Sequence, residues 1–344
     1  MQDQTGKSAK WGWPSISRAL QLLAVCLLLL ITGTSVDQLL HERQFIIADS
    51  ERQMSRLDMV FAEQTGRAVE TVDLVIRGIV ETWMAAPDLT AHDPAFAATL
   101  ARRMRGVRQM TALAITDSAG NVLHASGPDI ADRLPEAGLA LLARAKADTG
   151  TRLGFSVPFR GSGGQWTVLV ACPIRESASA ITGLGVATLN LGYFEDFYKA
   201  VDLTENGSII LHLRDGTVLA RYPHVDAAIG TSFGHLPPFR DVLARGMAGT
   251  LLMESPIDGS IRVTAIRALK AFPLAVMVSV EQRSLLTAWR RQAWTLGSSV
   301  ILASLLIGGL LLMLARRSRE AERLLVSTQV ARAGAEAATF RLQG

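Results

Sequence analysis

The chain has 344 residues, 49% hydrophobic and 19% charged, with a mean hydropathy of +0.25. That is too apolar for an ordinary soluble chain of this charge content, so the apolarity is concentrated, and a disordered chain, a disulfide scaffold and a simple cytosolic enzyme are excluded. The net charge of +4 is too mild to mark a nucleic-acid binder, and it lies in the ends: residues 1–18 carry three basic side chains and one acidic, residues 316–344 six and three, with a nearly neutral middle.

Residues 1–18 form a basic tail. From Ala19 to Val36 the chain carries no charge, a length just sufficient to cross a bilayer core, and this run predicts a first transmembrane helix over 19–36. A cleaved signal peptide is the competing reading, but the run is long for one and no A-x-A site follows it. Residues 293–315, 23 positions without a charge, predict the second span. Lys7, Lys10 and Arg18 precede the first run, and Arg316, Arg317, Arg319 and Arg323 follow the second. The positive-inside rule therefore places both termini in the cytoplasm and residues 37–292 outside, in the periplasm if the membrane is a bacterial inner membrane. Ser304 and Gly308, at helical spacing in the second run, would let two copies approach closely.

Residues 37–86 hold only Gly66 and Gly78 and no proline. Val36, Leu40, Ile47, Met54, Leu57, Phe61, Ala68 and Val75 make an apolar stripe, broken at Arg43, Ser50 and Gln64. One spine helix of about 75 Å is expected, its stripe serving as a dimer seam or as packing surface. Beyond Pro87 the pattern turns to short strands. A membrane-distal module over 87–201 is read as strands at 111–116, 121–126, 152–159, 166–173 and 183–190 with helices near 136–147 and 193–201. A membrane-proximal module over 202–280 is read as strands at 209–213, 217–221, 250–255, 261–268 and 274–280 with a helix near 239–246. The two modules repeat: Leu219 falls on Leu123 at a separation of 96, and each opens with strand, turn, strand. An exit helix over 281–292 leads to the second span, and residues 316–344 read as a cytoplasmic linker helix with a weak Ala-rich heptad. The fold class is α+β, a long spine carrying two tandem antiparallel-sheet modules between two transmembrane helices.

Several passages in order carry a resemblance: Leu153-Gly-Phe-Ser-Val-Pro158, Gly163-Gly-Gln-Trp166, Gly183-Leu-Gly-Val186 through Leu191-Gly-Tyr-Phe194, Asp215-Gly-Thr-Val-Leu-Ala-Arg-Tyr-Pro223, and Asp258-Gly-Ser-Ile-Arg262 through Arg267. Together they resemble the double-Cache sensor region, a pair of PAS-like modules at the input end of bacterial sensor histidine kinases and membrane diguanylate cyclases. The resemblance implies a homodimeric receptor of two-component or cyclic-dinucleotide signalling that binds a small molecule outside the cell membrane. The Tyr/Arg/Trp/Tyr/Asp pattern of the amino-acid-binding subgroup is not found within residues 102–176, so an amino-acid ligand is not supported. Cys172-Pro-Ile-Arg175 stands where relatives often have Ser-Arg-Arg, leaving only Arg175 to contribute. The residues after the second span hold no kinase or cyclase signature, so the output is expected from a separate or further kinase or cyclase module.

Alternation along 152–159 places Arg152 and Ser156 on the face opposite Leu153, Phe155, Val157 and Phe159, with Thr167 on the next strand and Trp166 at the turn. With Arg175, these five are the candidate ligand-binding residues, and a guanidinium in a concavity favours an anionic ligand. An arginine paired with one of the domain's own acids is the competing reading. Gly230-Thr-Ser-Phe-Gly234 imitates a nucleophile elbow but lacks the strand-turn-helix context, so no catalytic residue is assigned. His212, His224 and His235 lack ligand spacing, and neither a metal nor a cofactor is expected. Cys26 and Cys172 lie in different compartments and cannot pair. A module that binds another periplasmic protein, rather than a ligand, is the alternative function.

Overall fold

The computed structural model describes residues 13–86, 91–127, 130–147, 152–176, 180–201, 203 and 206–342. It divides into two compact units, one formed by the chain's two ends, up to Phe45 and from Leu286, and one spanning Ile46–Leu285.

In the first unit, the N-terminal half of α1 (Trp13–Met84) and α7 (Thr287–Leu342) each contain a stretch long and apolar enough to cross a membrane, with mean hydropathies of 1.9 and 2.3 and no burial inside the protein. Their few hydroxyls are satisfied within the helix: Thr32 and Ser304 each donate to the carbonyl four residues earlier, at 2.7 Å. That is what a helix surrounded by hydrocarbon requires. Trp289 Nε1 donates to the Leu39 carbonyl at 2.9 Å, joining the two helices at one level.

The second unit carries the rest of α1 and two sheets. Of the stripe read from the sequence, Met54 and Phe61 are buried in one continuous core, with Ile47, Leu57, Ala68 and Val75 partly buried against it. Val69, Val72, Ile76 and Ile79, outside that stripe, complete the buried face, while Val36 and Leu40 are exposed. Val60 and Leu74, two heptads apart, stay exposed on α1. After the spine the chain forms a helix, α2 (Pro94–Met104), in a stretch to which no element was assigned. Its signal is local: Asp93 caps the Ala95 amide at 2.8 Å, Pro94 opens the first turn, and Phe96 and Leu100 bury one face.

The distal sheet consists of β1 (Met110–Asp117), β2 (Val122–Ser126), β3 (Gly154–Phe155), β4 (Phe159–Arg160), β5 (Trp166–Arg175) and β6 (Ile181–Asn190) in the order β2-β1-β6-β5-β3, with β4 also on β5. Helix α3 (Ile130–Ala147) covers the face turned from the spine through Ile130, Leu134, Leu141 and Leu142. Helix α4 (Gly192–Lys199) returns to the spine, where Tyr198 stacks edge-on to Phe61 and its hydroxyl lies 3.2 Å from that of Thr65. The proximal sheet consists of β7 (Gly207–Leu213), β8 (Val218–Tyr222), β9 (Ala248–Glu254), β10 (Ile261–Ala268) and β11 (Leu274–Glu281) in the order β8-β7-β11-β10-β9, with α5 (Pro237–Arg245) on its outer face. A short helix, α6 (Gln282–Leu285), precedes α7.

The two sheets have the same strand order, and the sequence repeat holds residue by residue. The register shifts after Ile115 in β1 and after Leu211 in β7, so Thr116 opposes Val122 and His212 opposes Val218, each pair 96 residues from its counterpart. Gly120 and Gly216, at the matching turn position, both adopt positive φ, near +87° and +85°. Without a Cβ this conformation is free of strain.

Each module is tied to the spine by a buried α1 carboxylate and a sheet-side arginine. Asp73 meets Arg152 at 3.1 Å and Arg77 at 2.9 Å, and Asp58 meets Arg267 at 3.2 Å.

Candidate functional site

The expected single strand over 152–159 is instead β3 and β4 with an unpaired step between them. Ser156 causes it: its amide donates to the Leu169 carbonyl, but its hydroxyl, not its own carbonyl, receives the Leu169 amide, at 3.0 Å. Pro158 then has no N–H to offer. Alternation breaks there, with Val157 exposed and Pro158 buried. Arg152 turns to the spine and Asp73, and the Ser156 hydroxyl is held by backbone. Thr167 is buried and donates to the Gln165 carbonyl. Arg175 donates to the Ala145 carbonyl near the end of α3 at 3.3 Å. Trp166 sits at the junction of the modules: its Nε1 donates to Asp226 at 2.8 Å, and the Arg160 guanidinium lies over its ring at 4.4 Å while also pairing with Asp226. The five residues therefore do not share one site. Half-buried Cys172 lies in the electrostatic reach of Asp73, Arg77, Arg152 and Arg175, and burial pushes its thiol up to about 11, so it stays protonated.

Two concavities open beside α3. One, of about 310 Å³, runs along Ala137, Leu141 and Arg144 and the segment from Phe155 to Phe159, with Ser156 in its wall. The other, of about 390 Å³, reaches from Leu141 and Arg144 past Phe155 to Asp215 and Pro273 of the proximal module. Arg144 lines both, held by the Phe155 carbonyl at 3.4 Å, and this size is that of a small-molecule site.

The proximal module holds a different feature. On the outer face of its sheet Ser208, His212, Arg221, Arg262, Thr264 and Ser279 line a cavity of about 30 Å³, and every one of them is buried. Arg262 is fully engaged: Nη2 on Asp258 at 2.8 Å, Nε on Ser260 at 2.9 Å, Nη1 on the Asn206 carbonyl at 3.0 Å. Arg221 is less so. Its Nη1 donates to the Pro223 carbonyl, but its Nε has no partner, and burial together with the Arg262 charge lowers its pKa. Neither ring nitrogen of His212 makes a well-aligned hydrogen bond, although the Gly216 backbone is within reach of the ring. Burial pushes its pKa down to about 4, against weaker opposing pulls from the Gly216 backbone and Asp215, so the ring is neutral. The sequence carried Arg221 only inside a family-like passage and His212 only as a poorly spaced metal candidate.

Gly230-Thr-Ser-Phe-Gly234 is a strap on the β7–β8 turn. Ser232 donates to the Asp215 carbonyl at 2.9 Å, and a Cβ on Gly234 would fall 1.9 Å from that same oxygen.

Two sheets of one strand order on a shared helical spine, followed by a second apolar helix, define a tandem PAS-like sensor domain flanked by candidate membrane spans. Residues 191–279 match the family model of the dCache_1-like histidine kinase sensor domain. Over 70% of this chain the fold matches 98% of the extracellular domain assigned to histidine kinase rpHK1S-Z16, at 27% identity and a TM-score of 0.58. It also matches the periplasmic sensory domain of the Campylobacter jejuni chemoreceptor Tlp1 (15% identity, 70% of this chain and 98% of that one, TM-score 0.55). A third match is the ligand-binding domain of the Pseudomonas aeruginosa amino acid chemoreceptor PctB in complex with L-Gln (16% identity, 69% and 93%, TM-score 0.51). Residues 191–279 thus match a dCache_1-like sensor family, and the fold over most of the chain matches solved sensor domains, in line with the resemblance. No curated protein matches the chain in sequence.

Proposed function

We propose that the chain is a receptor of a bacterial inner membrane, with both termini in the cytoplasm, residues 37–292 in the periplasm and two transmembrane helices at 19–36 and 293–315. Its distal module binds a small ligand, and the displacement passes to a cytoplasmic kinase or cyclase. The observation that carries the reading is Arg144 at the mouth of two concavities of ligand size, one of which spans both modules. A guanidinium there favours a ligand with a carboxylate or similar planar anion. A site touching both modules gives a ligand differential affinity for their two arrangements, the condition for shifting an equilibrium.

The residues selected from the sequence then divide by role. Ser156 walls the groove and Arg175 anchors the end of α3, while Arg152, through Asp73, and Trp166, through Asp226, carry the change to the spine and to the proximal module. Thr167 secures the start of β5. The receptor works as a homodimer: Val60 and Leu74 lie exposed on α1 two heptads apart, and Ser304 and Gly308 stand at helical spacing in α7.

The test is thermal unfolding of the full-length chain in lipid nanodiscs against a panel of small mono- and dicarboxylates and amino acids. A ligand that raises the midpoint saturably in wild type and at least about tenfold more weakly in Arg144→Ala supports the site. A hit whose affinity is unchanged in Arg144→Ala places the ligand elsewhere and overturns it.

A further inference from the structure

The proximal cavity departs from the distal sheet at matched positions. The repeat sets Ser208 on Ala112, His212 on Thr116 and Arg221 on Ala125. In the distal sheet this face is small and apolar and packs under α3, and Thr116 is satisfied by the Leu184 amide at 3.1 Å. The fold therefore does not need a histidine and an arginine here. The Arg221 Nε–H and the single N–H of the neutral His212 ring are buried without a well-formed hydrogen bond, which is unfavourable. Such a cost is offset when a bound group completes the hydrogen bonds.

We infer that this cavity is a second ligand site, in the proximal module and separate from the Arg144 groove, and that its ligand is a monocarboxylate of one or two carbons. Charge selects the anion. Of the charged groups lining or facing the cavity, Asp258 pairs with Arg262 and also attracts Arg221 from a distance, which leaves two guanidinium charges against one carboxylate. Size selects the compactness: about 30 Å³ holds no more than a few heavy atoms, on the scale of one to two waters. Shape selects the carboxylate, since its two oxygens can accept from the open Arg221 Nε–H and from a neutral imidazole N–H at once. Phe239, edge-on to the His212 ring at 4.9 Å, and Met277 on the cavity wall supply an apolar side for a methyl group.

The experiment measures binding of sodium formate and sodium acetate to the full-length chain in nanodiscs, by thermal unfolding and by saturation-transfer NMR, with sodium chloride at equal ionic strength as reference. Saturable binding below about 10 mM is expected, weakened about tenfold or more in Arg221→Gln and in His212→Thr, and unchanged in Arg144→Ala. His212→Thr installs the residue the distal module carries at this position, so the site is probed even if Arg221→Gln fails to fold. No saturable binding would mean that water alone fills the cavity and would overturn the assignment. Binding unchanged in His212→Thr, or an equal response to chloride, would overturn it as well.

Discussion

Burial acts on Asp58 and His212 with opposite sign. Asp58, 1% exposed on the spine, is pushed up to about 7 by desolvation, which outweighs the attraction of Arg267. A carboxyl raised in the folded state contributes stability that is present below its ordinary value of 3.8 and is lost as pH rises through about 7. His212 is pushed down to about 4 from an ordinary 6.5, so its contribution is present above 6.5 and is lost as pH falls toward 4. Between those limits the two slopes oppose, and wild type hides both. Asp58→Asn should therefore expose a midpoint that falls on acidification through this window, and His212→Thr one that falls as pH rises. Thermal unfolding across the window reads both, and a variant profile parallel to wild type would show that the group concerned does not titrate there. Neither shift was legible in the sequence, because each arises from neighbours that only folding brings together.

Among the elements, the close approach of α1 to β6 rests on Gly185. A Cβ there would fall 2.5 Å from Val80 Cγ2 and 3.0 Å from Ile76 Cγ2, so those side chains or the helix that carries them must shift. Gly185→Ala should cost about 1–3 kcal/mol, read as a lower unfolding midpoint. Gly297→Ala, whose Cβ meets nothing within 4 Å, should leave the midpoint level or slightly raised. A Gly185→Ala midpoint equal to wild type would mean the spine is not seated on β6 at this point. The elements themselves were largely readable: the turns Asp117–Gly120, Asp215–Gly216 and Asp258–Gly259 mark their hairpins locally, and β10 matches its expected bounds at Ile261–Ala268. Two were not. Helix α2 was passed over although Asp93-Pro94 is a capping signal, because the search beyond Pro87 followed strand periodicity. The strand over 152–159 was overread because a side chain, Ser156, takes a backbone place in the ladder, which alternation does not register.

Across the whole sensor domain, the junction between modules is polar. Asp226 holds Trp166 at 2.8 Å and Arg160, while His224 bonds Glu195 of α4 at 2.8 Å, and that contact, with Asp226, raises its pKa. Asp226 is exposed to solvent, which screens its pairing, so Asp226→Ala should leave the unfolding midpoint close to wild type. Its effect should appear in mobility instead: hydrogen exchange should rise together at residues 164–168 and 224–230. A rise confined to 224–230 would show that the junction does not link the modules. The sequence by itself determined the two apolar helices, the spine, and the paired modules with their 96-residue repeat, because run length, periodicity and turn chemistry are local properties. Only the tertiary structure decided which arginine is spent and which is open. Arg152 and Arg221 are both read as strand residues in the sequence, yet Arg152 meets Asp73, 79 residues away, while Arg221 Nε has no hydrogen-bond partner. A charge's partner is chosen by packing, and packing is settled only when distant segments meet.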